Sequence, residues 1–157
     1  MAALDPQTIY EGIYAAVDAD DTLTDVTSLI GDPPRIYTRT PADVTFPFIE
    51  VNVIPTTPLT GTRTGPGIKW IRRIVVQFNI WSQKSTLEEV NNIFTALVDV
   101  MDGLPTNAAS VAKITAGGRK GLITHSIPGI ERSGDFDMDT GSAFAICEYT
   151  LWFEKTA

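Results

Sequence analysis

At 157 residues the chain suits one domain spanning 1–157, built around a single core. It is 43% hydrophobic and 20% charged, a balance that folds, and its apolar runs are far shorter than the ~20 residues of a membrane-spanning helix, so no membrane partner is expected. The net charge is −7; the one cysteine, Cys147, excludes an intrachain disulfide framework and a multi-cysteine zinc site, and the one histidine, His125, makes histidine-based triads and metal clusters hard to build.

The N-terminal MAALDPQ has neither a basic start nor an apolar run, so no signal peptide is expected. The first element reads as a helix. Asp5 is a good N-cap, Pro6 suits the first helical position, and Ile9, Ile13 and Val17 repeat at four-residue spacing. Residues 22–30 suit a further short helical turn, which Gly31, Pro33 and Pro34 end. Arg35–Arg39 is short and strand-prone, and Pro41–Asp43 reads as a turn. In Phe46–Ile54, Ile49, Val51 and Val53 share one face of a strand, while Glu50 and Asn52 share the other. The stretch at about 55–69 holds three prolines, three glycines and five threonines, the composition of a long extended loop or hairpin tip.

Trp70–Gln83 reads as a long strand with Ile74, Val76, Phe78 and Ile80 inward and Gln77 and Asn79 outward. A capping box, Ser85-x-x-Glu88, then opens a second helix. Leu87, Val90, Ile93, Phe94, Leu97, Val98 and Met101 make its apolar stripe, and Gly103 and Pro105 end it. Residues 106–121 are small, polar and glycine-rich and give no element. Leu122–Ile127 and Ile130–Met138 read as two strands around a Pro128–Gly129 turn. Ala143–Glu154 is a strong final strand, with Ala143, Ala145, Cys147, Tyr149, Leu151 and Phe153 on one face. Three strands thus carry polar pairs opposite an apolar face: Glu50/Asn52, Gln77/Asn79 and Glu148/Thr150. The expected class is α+β: a mostly antiparallel sheet with one face covered by two main helices and a long extended loop or hairpin at about 55–69.

The chemical candidates are few. Asp135-x-Asp137-x-Asp139 fails as a calcium loop, because Thr140 and Ile146 stand where glycine and glutamate are required. It reads instead as a hairpin arm with Phe136 and Met138 inward and the aspartates outward. Gly117–Gly121 lacks the spacing of a phosphate loop and reads as a connector. Cys147 reads as an inward-facing structural thiol, and His125 has no second histidine or cysteine beside it. No catalytic residue, metal ligand or cofactor is expected.

Charge is the more informative signal. Residues 1–54 carry nine acids and two bases, residues 55–84 five bases and no acid, and residues 85–110 four acids and no base. The basic residues Arg63, Lys69, Arg72, Arg73 and Lys84 fit a solvated loop and strand edge. They also fit an interaction surface that pairs with the acidic segment of a neighbour. A third fit is DNA contact, for which they form only a weak motif.

The layout resembles the tail-completion or tail-terminator proteins of long-tailed bacteriophages. The resemblance rests on the order of motifs: an N-terminal helix, Gly31-Asp32-Pro33-Pro34-Arg35-Ile36-Tyr37, and the strand start Phe46-Pro47-Phe48-Ile49. A threonine- and glycine-rich loop follows, then Val76–Trp81 running into a helix and a closing strand. It implies a non-enzymatic virion protein of the tail or neck, assembled in the host cytoplasm. It further implies a homo-oligomeric, hexameric ring at the head-proximal end of the tail. That ring caps the major tail tube protein, joins it to the head–tail connector or stopper, and passes DNA without sequence-specific binding. The competing readings are another head–tail adaptor, baseplate part or minor tail protein, and, in a different class, a small α+β ligand-binding domain or enzyme.

Overall fold

A computed structural model describes residues 6–19, 30–31, 33–55, 71–116 and 121–155. From residue 56 onward the expected long loop lies outside the described residues, as do Asp5, residues 22–29 and residues 117–120. The elements are α1 (Pro6–Ala19), β1 (Ile36–Tyr37), β2 (Phe48–Pro55), β3 (Ile71–Ser82), α2 (Glu88–Asp102), a 3-10 turn (Leu104–Thr106), α3 (Ala108–Ala116), β4 (Gly121–Phe136) and β5 (Ala143–Lys155).

The strands form one five-stranded sheet in the order β1-β2-β3-β5-β4. Only the two-residue β1 is parallel to its neighbour, and every other pairing is antiparallel. Alternation along the strands sorts side chains as the sequence pattern requires. Ile74, Val76, Phe78 and Ile80 of β3 are buried, as are Ala143, Ala145, Cys147, Tyr149, Leu151 and Phe153 of β5. All three helices lie on that side. α2 crosses β3, β4 and β5, α1 packs on β2 and against α3, and α3 rests on β4. Ile9, Ile13 and Val17 of α1 join Val90, Ile93, Leu97 and Met101 of α2 in one core cluster with the strand residues. Each such side chain contributes roughly 1.5–3 kcal/mol when fully buried, so the covered face supplies the drive to fold.

Local chemistry fixes the connections. Gly31 has φ +90°, and a Cβ there would stand 2.5 Å from the Arg35 guanidinium. The positive φ is what favours glycine here, since the guanidinium is the mobile end of a long side chain. Arg35 then fastens the segment, its backbone N–H donating to Ile30 O at 2.9 Å and its Nε–H to Pro47 O at 2.8 Å.

Four expectations need correction. Ser85 does not cap α2: the helix starts at Glu88, its N-cap position is Leu87 and no side chain caps it. The Glu89 carboxylate instead turns back to accept from the buried Ser82 hydroxyl and pairs with Lys84 Nζ at 3.3 Å, so the strand–helix junction is closed by Glu89. The stretch at 106–121 contains α3, whose N-cap is Asn107: its Oδ1 accepts from Ala109 N–H and Ser110 N–H, both at 3.1 Å. Pro128–Gly129 is no turn. β4 runs through it as one strand, with register irregularities between Ile123 and His125, Pro128 and Glu131, and Arg132 and Asp135. Among the described residues no strand of the same chain pairs with the outer side of β4, so the missing N–H of Pro128 breaks no ladder within the subunit.

The fourth correction concerns the aspartate run. Phe136 faces the covered side, opposite Ala143, and is 37% exposed at the sheet edge, whereas Met138 has left the strand and is 93% exposed. Asp137 organises the β4–β5 turn, accepting Asp139 N–H and the Thr140 hydroxyl at 3.0 Å each, and Gly141 completes it at φ +69°. The demands of that turn override strand alternation at Met138.

Candidate interaction surface

No helix covers the second face of the sheet among the described residues, and register gives its layout in rows. Glu50 lies opposite Asn79 and Asn79 opposite Ile146; Asn52 lies opposite Gln77 and Gln77 opposite Glu148. The polar pairs expected from the sequence therefore meet as one band across β2, β3 and β5. Thr40 donates its hydroxyl to Glu50, which fixes one end of the band.

Aromatic groups flank it. Toward the start of β2, Trp81 and Phe144 lie with ring centroids 5.6 Å apart, and the Arg132 guanidinium sits 5.5 Å over the Phe144 ring. Arg132 is also held by Asp135, whose carboxyl is shifted below its usual range, first by the Phe136 N–H and then by Arg132. At the sheet margin Phe46 packs edge-on to Phe48 at 5.1 Å, and Tyr37 lies 6.2 Å from Phe48. On the far side of the band Trp152 stands beside His125 at 6.4 Å, with Arg73 opposite Trp152 across the ladder.

The basic residues singled out in the sequence divide as follows. Arg63 and Lys69 lie outside the described residues. Arg72 and Arg73 open β3, their backbones opposite Phe153 and Trp152, and the Arg73 side chain is exposed. Lys84 is used within the chain by Glu89. Cys147 is fully buried, and burial pushes its thiol up to about 12, with a smaller contribution from Glu131. A thiol so shifted stays protonated and is a poor nucleophile. Among the described residues no group of three or more His, Cys, Asp or Glu side chains is placed to hold a metal ion.

Two shallow grooves flank α1. One, of about 480 Å³, runs along β2 and is lined by Pro6, Gln7, Thr38, Val51, Asn52 and Ile54 among others. The other, of about 380 Å³, lies beside Tyr10, Tyr14 and Lys113. Burial, then the nearby Tyr14 and Tyr37, raises the Tyr10 phenol, whose O–H donates to Ile36 O at 2.8 Å and ties α1 to β1. The sequence pattern missed the apolar residues at the sheet margins, among them Ile54 at 47% and Ile127 at 46% exposure. For Ile54 a signal existed, since it continues the outward parity of Glu50 and Asn52. Ile127 needed the ladder register.

The protein is thus an α+β domain with helices on one side of its sheet and, among the described residues, polar and aromatic groups with no helix on the other. Residues 11–122 match the family of tail completion protein gp17, and the chain belongs to that family. It is a structural component of a phage tail. Among solved structures, a chain in the virion of the native gene transfer agent (GTA) particle has the same fold. The TM-score is 0.60 at 11% identity, over 90% of this chain and 91% of that one. No curated protein matches the sequence.

Proposed function

We propose that the protein terminates the tail. Residues 1–157 act as one unit that assembles into a homo-oligomeric, hexameric ring at the head-proximal end. The ring caps the major tail tube protein, meets the head–tail connector or stopper on its other side, and leaves a channel through which DNA passes. It works through contacts and carries out no reaction. Its place is the tail or neck of the virion, reached by assembly in the host cytoplasm.

The observation that carries this reading is membership of the tail completion family. The physical features are consistent with it. A closed ring is built from heterologous contacts, in which one patch meets a different patch on the next copy. The acidic 1–54 segment and the basic group of Arg63, Lys69, Arg72 and Arg73 supply two such patches. The net charge of −7 suits a channel through which DNA slides, since many cationic phosphate contacts would hold it in place. Electron microscopy of tails carrying a tagged copy tests the position. The tag is expected at the head-proximal end; a tag along the tube or at the distal end contradicts the reading.

A further inference from the structure

Among the described residues the sheet has two open margins. At one, β1 pairs with β2 only through Ile36–Ile49 and Tyr37–Glu50. Among the described residues Val51–Pro55 has no strand partner on that side, and the groove of about 480 Å³ runs along it. At the other, β4 is the outermost strand. The exposed large apolar side chains among the described residues gather at these margins. Ile54 is on β2; Ile127, Ile130 and Phe136 are on β4, and Met138 is in the turn that follows it. Long apolar sheet edges are templates for pairing with another chain.

Register and direction say what fits. Ile54 lies opposite Val75, Val75 opposite Thr150, and Thr150 opposite Ile127. Ile54 and Ile127 are therefore the two ends of one row of side chains on the uncovered face. From β2 through β3 and β5 to β4, each step is antiparallel, so β4 runs opposite to β2. A second copy set with its β2 beside the first copy's β4 continues the alternation, keeps helices on one side, and brings Ile127 next to Ile54. Two β4 edges paired with each other would instead make an isologous dimer that closes on itself and leaves Ile54 bare.

We propose that the ring subunits join by sheet extension: the β4 margin around Ile127 pairs antiparallel with Val51–Pro55 of β2 in the next copy of this chain. The inference rests on the ring reading above and names its contact. β1 blocks the β2 edge from Glu50 backward, which limits the contact to five residues, about 17 Å of strand. Pro128 and the irregularity after it interrupt β4 at the same place, so the pairing is short and its register is set.

Cross-linking tests this in the full chain. Copies carrying Ile54→Cys are mixed with copies carrying Ile127→Cys and treated with a short bismaleimide, while native mass measurement follows the ring. The expected result is a covalent dimer from the mixture and none from either variant alone. In parallel, Ile54→Lys and Ile127→Lys are each expected to lose the ring mass, with far-UV circular dichroism and Tm close to wild type because both side chains are half exposed. If wild type forms the ring, but the 54–127 cross-link is absent and both lysine variants still assemble, the contact is elsewhere and the inference is wrong while the ring stands. A 127–127 cross-link overturns it in favour of isologous pairing. Lysine variants that keep the ring but lose binding to tail tube protein overturn it in favour of that partner. A wild type that stays monomeric even with tail tube protein removes the ring reading itself.

Discussion

Cys147 illustrates how packing decides what a reactive residue type does. Alternation along β5 places its thiol among Phe78, Tyr149 and the helices, where it is fully buried. The thiol is expected to be inert to a thiol-specific reagent in native protein near pH 8 and to react fully once the protein is unfolded in guanidinium. Appreciable native labelling at a rate independent of unfolding contradicts its burial. The shift also sets a pH dependence. The folded thiol sits at about 12 against 9.0 for an ordinary one, and the Tyr149 phenol is raised as well, by burial and then by Asp102. The unfolded chain loses these protons first. Their contribution to stability is thus complete below pH 9 and is lost as pH rises through about 12. Urea midpoints are expected to be flat from pH 7 to 8.5 and to fall above it; a midpoint that rises with alkali contradicts the assignment. Burial of Cys147 was legible in sequence because period-two alternation decides it. Exposure of Met138 was not, because the hydrogen bonds of Asp137 form a turn that parity does not encode.

Helices and strands were legible to the extent that their own residues specify them. α2 has an unbroken apolar stripe, and its position follows from that alone. α3 does not: Val111, Ile114 and Thr115 are β-branched, and a nine-residue helix is marginal by propensity. Its stability comes from Asn107 at one end and from α1 along its side. Gly12 of α1 lies against α3 so closely that a Cβ there would stand 2.7 Å from Ile114 Cγ1. Replacing Gly12 with leucine is expected to cost about 1–3 kcal/mol by overpacking, and Asn107→Ala about 1 kcal/mol through the lost cap. Chemical denaturation checks both; an unchanged midpoint for Gly12→Leu would show that the two helices do not meet there. β4 failed the local reading for the opposite reason. Pro128 and Gly129 favour a turn in isolation, yet pairing with β5 on both sides of them carries the strand through.

For the whole molecule, the sheet class, the covered face and the polar band were all legible, because three strands repeat the same two-faced pattern. The proposed interaction surface shows in the sequence only as a charge map. Arg72 and Arg73 open the central strand, while Arg63 and Lys69 lie outside the described residues. The interface reading of this group therefore rests on charge segregation in the chain. Reversing Arg72 and Arg73 together to glutamate is expected to weaken assembly at low salt while leaving the Tm within a few degrees of wild type. Assembly that is unchanged at every salt concentration would remove charge pairing from the account. The proposed sheet extension at the two margins does not depend on that outcome, since its contacts are apolar and backbone ones.

The ring we propose is a closed assembly of identical subunits of this tail component. The most direct measurement is the native mass of the purified protein, alone and mixed with tail tube protein. A discrete closed oligomer, six copies of the 17.1 kDa chain, is expected in at least one of the two conditions. A single subunit mass in both contradicts it.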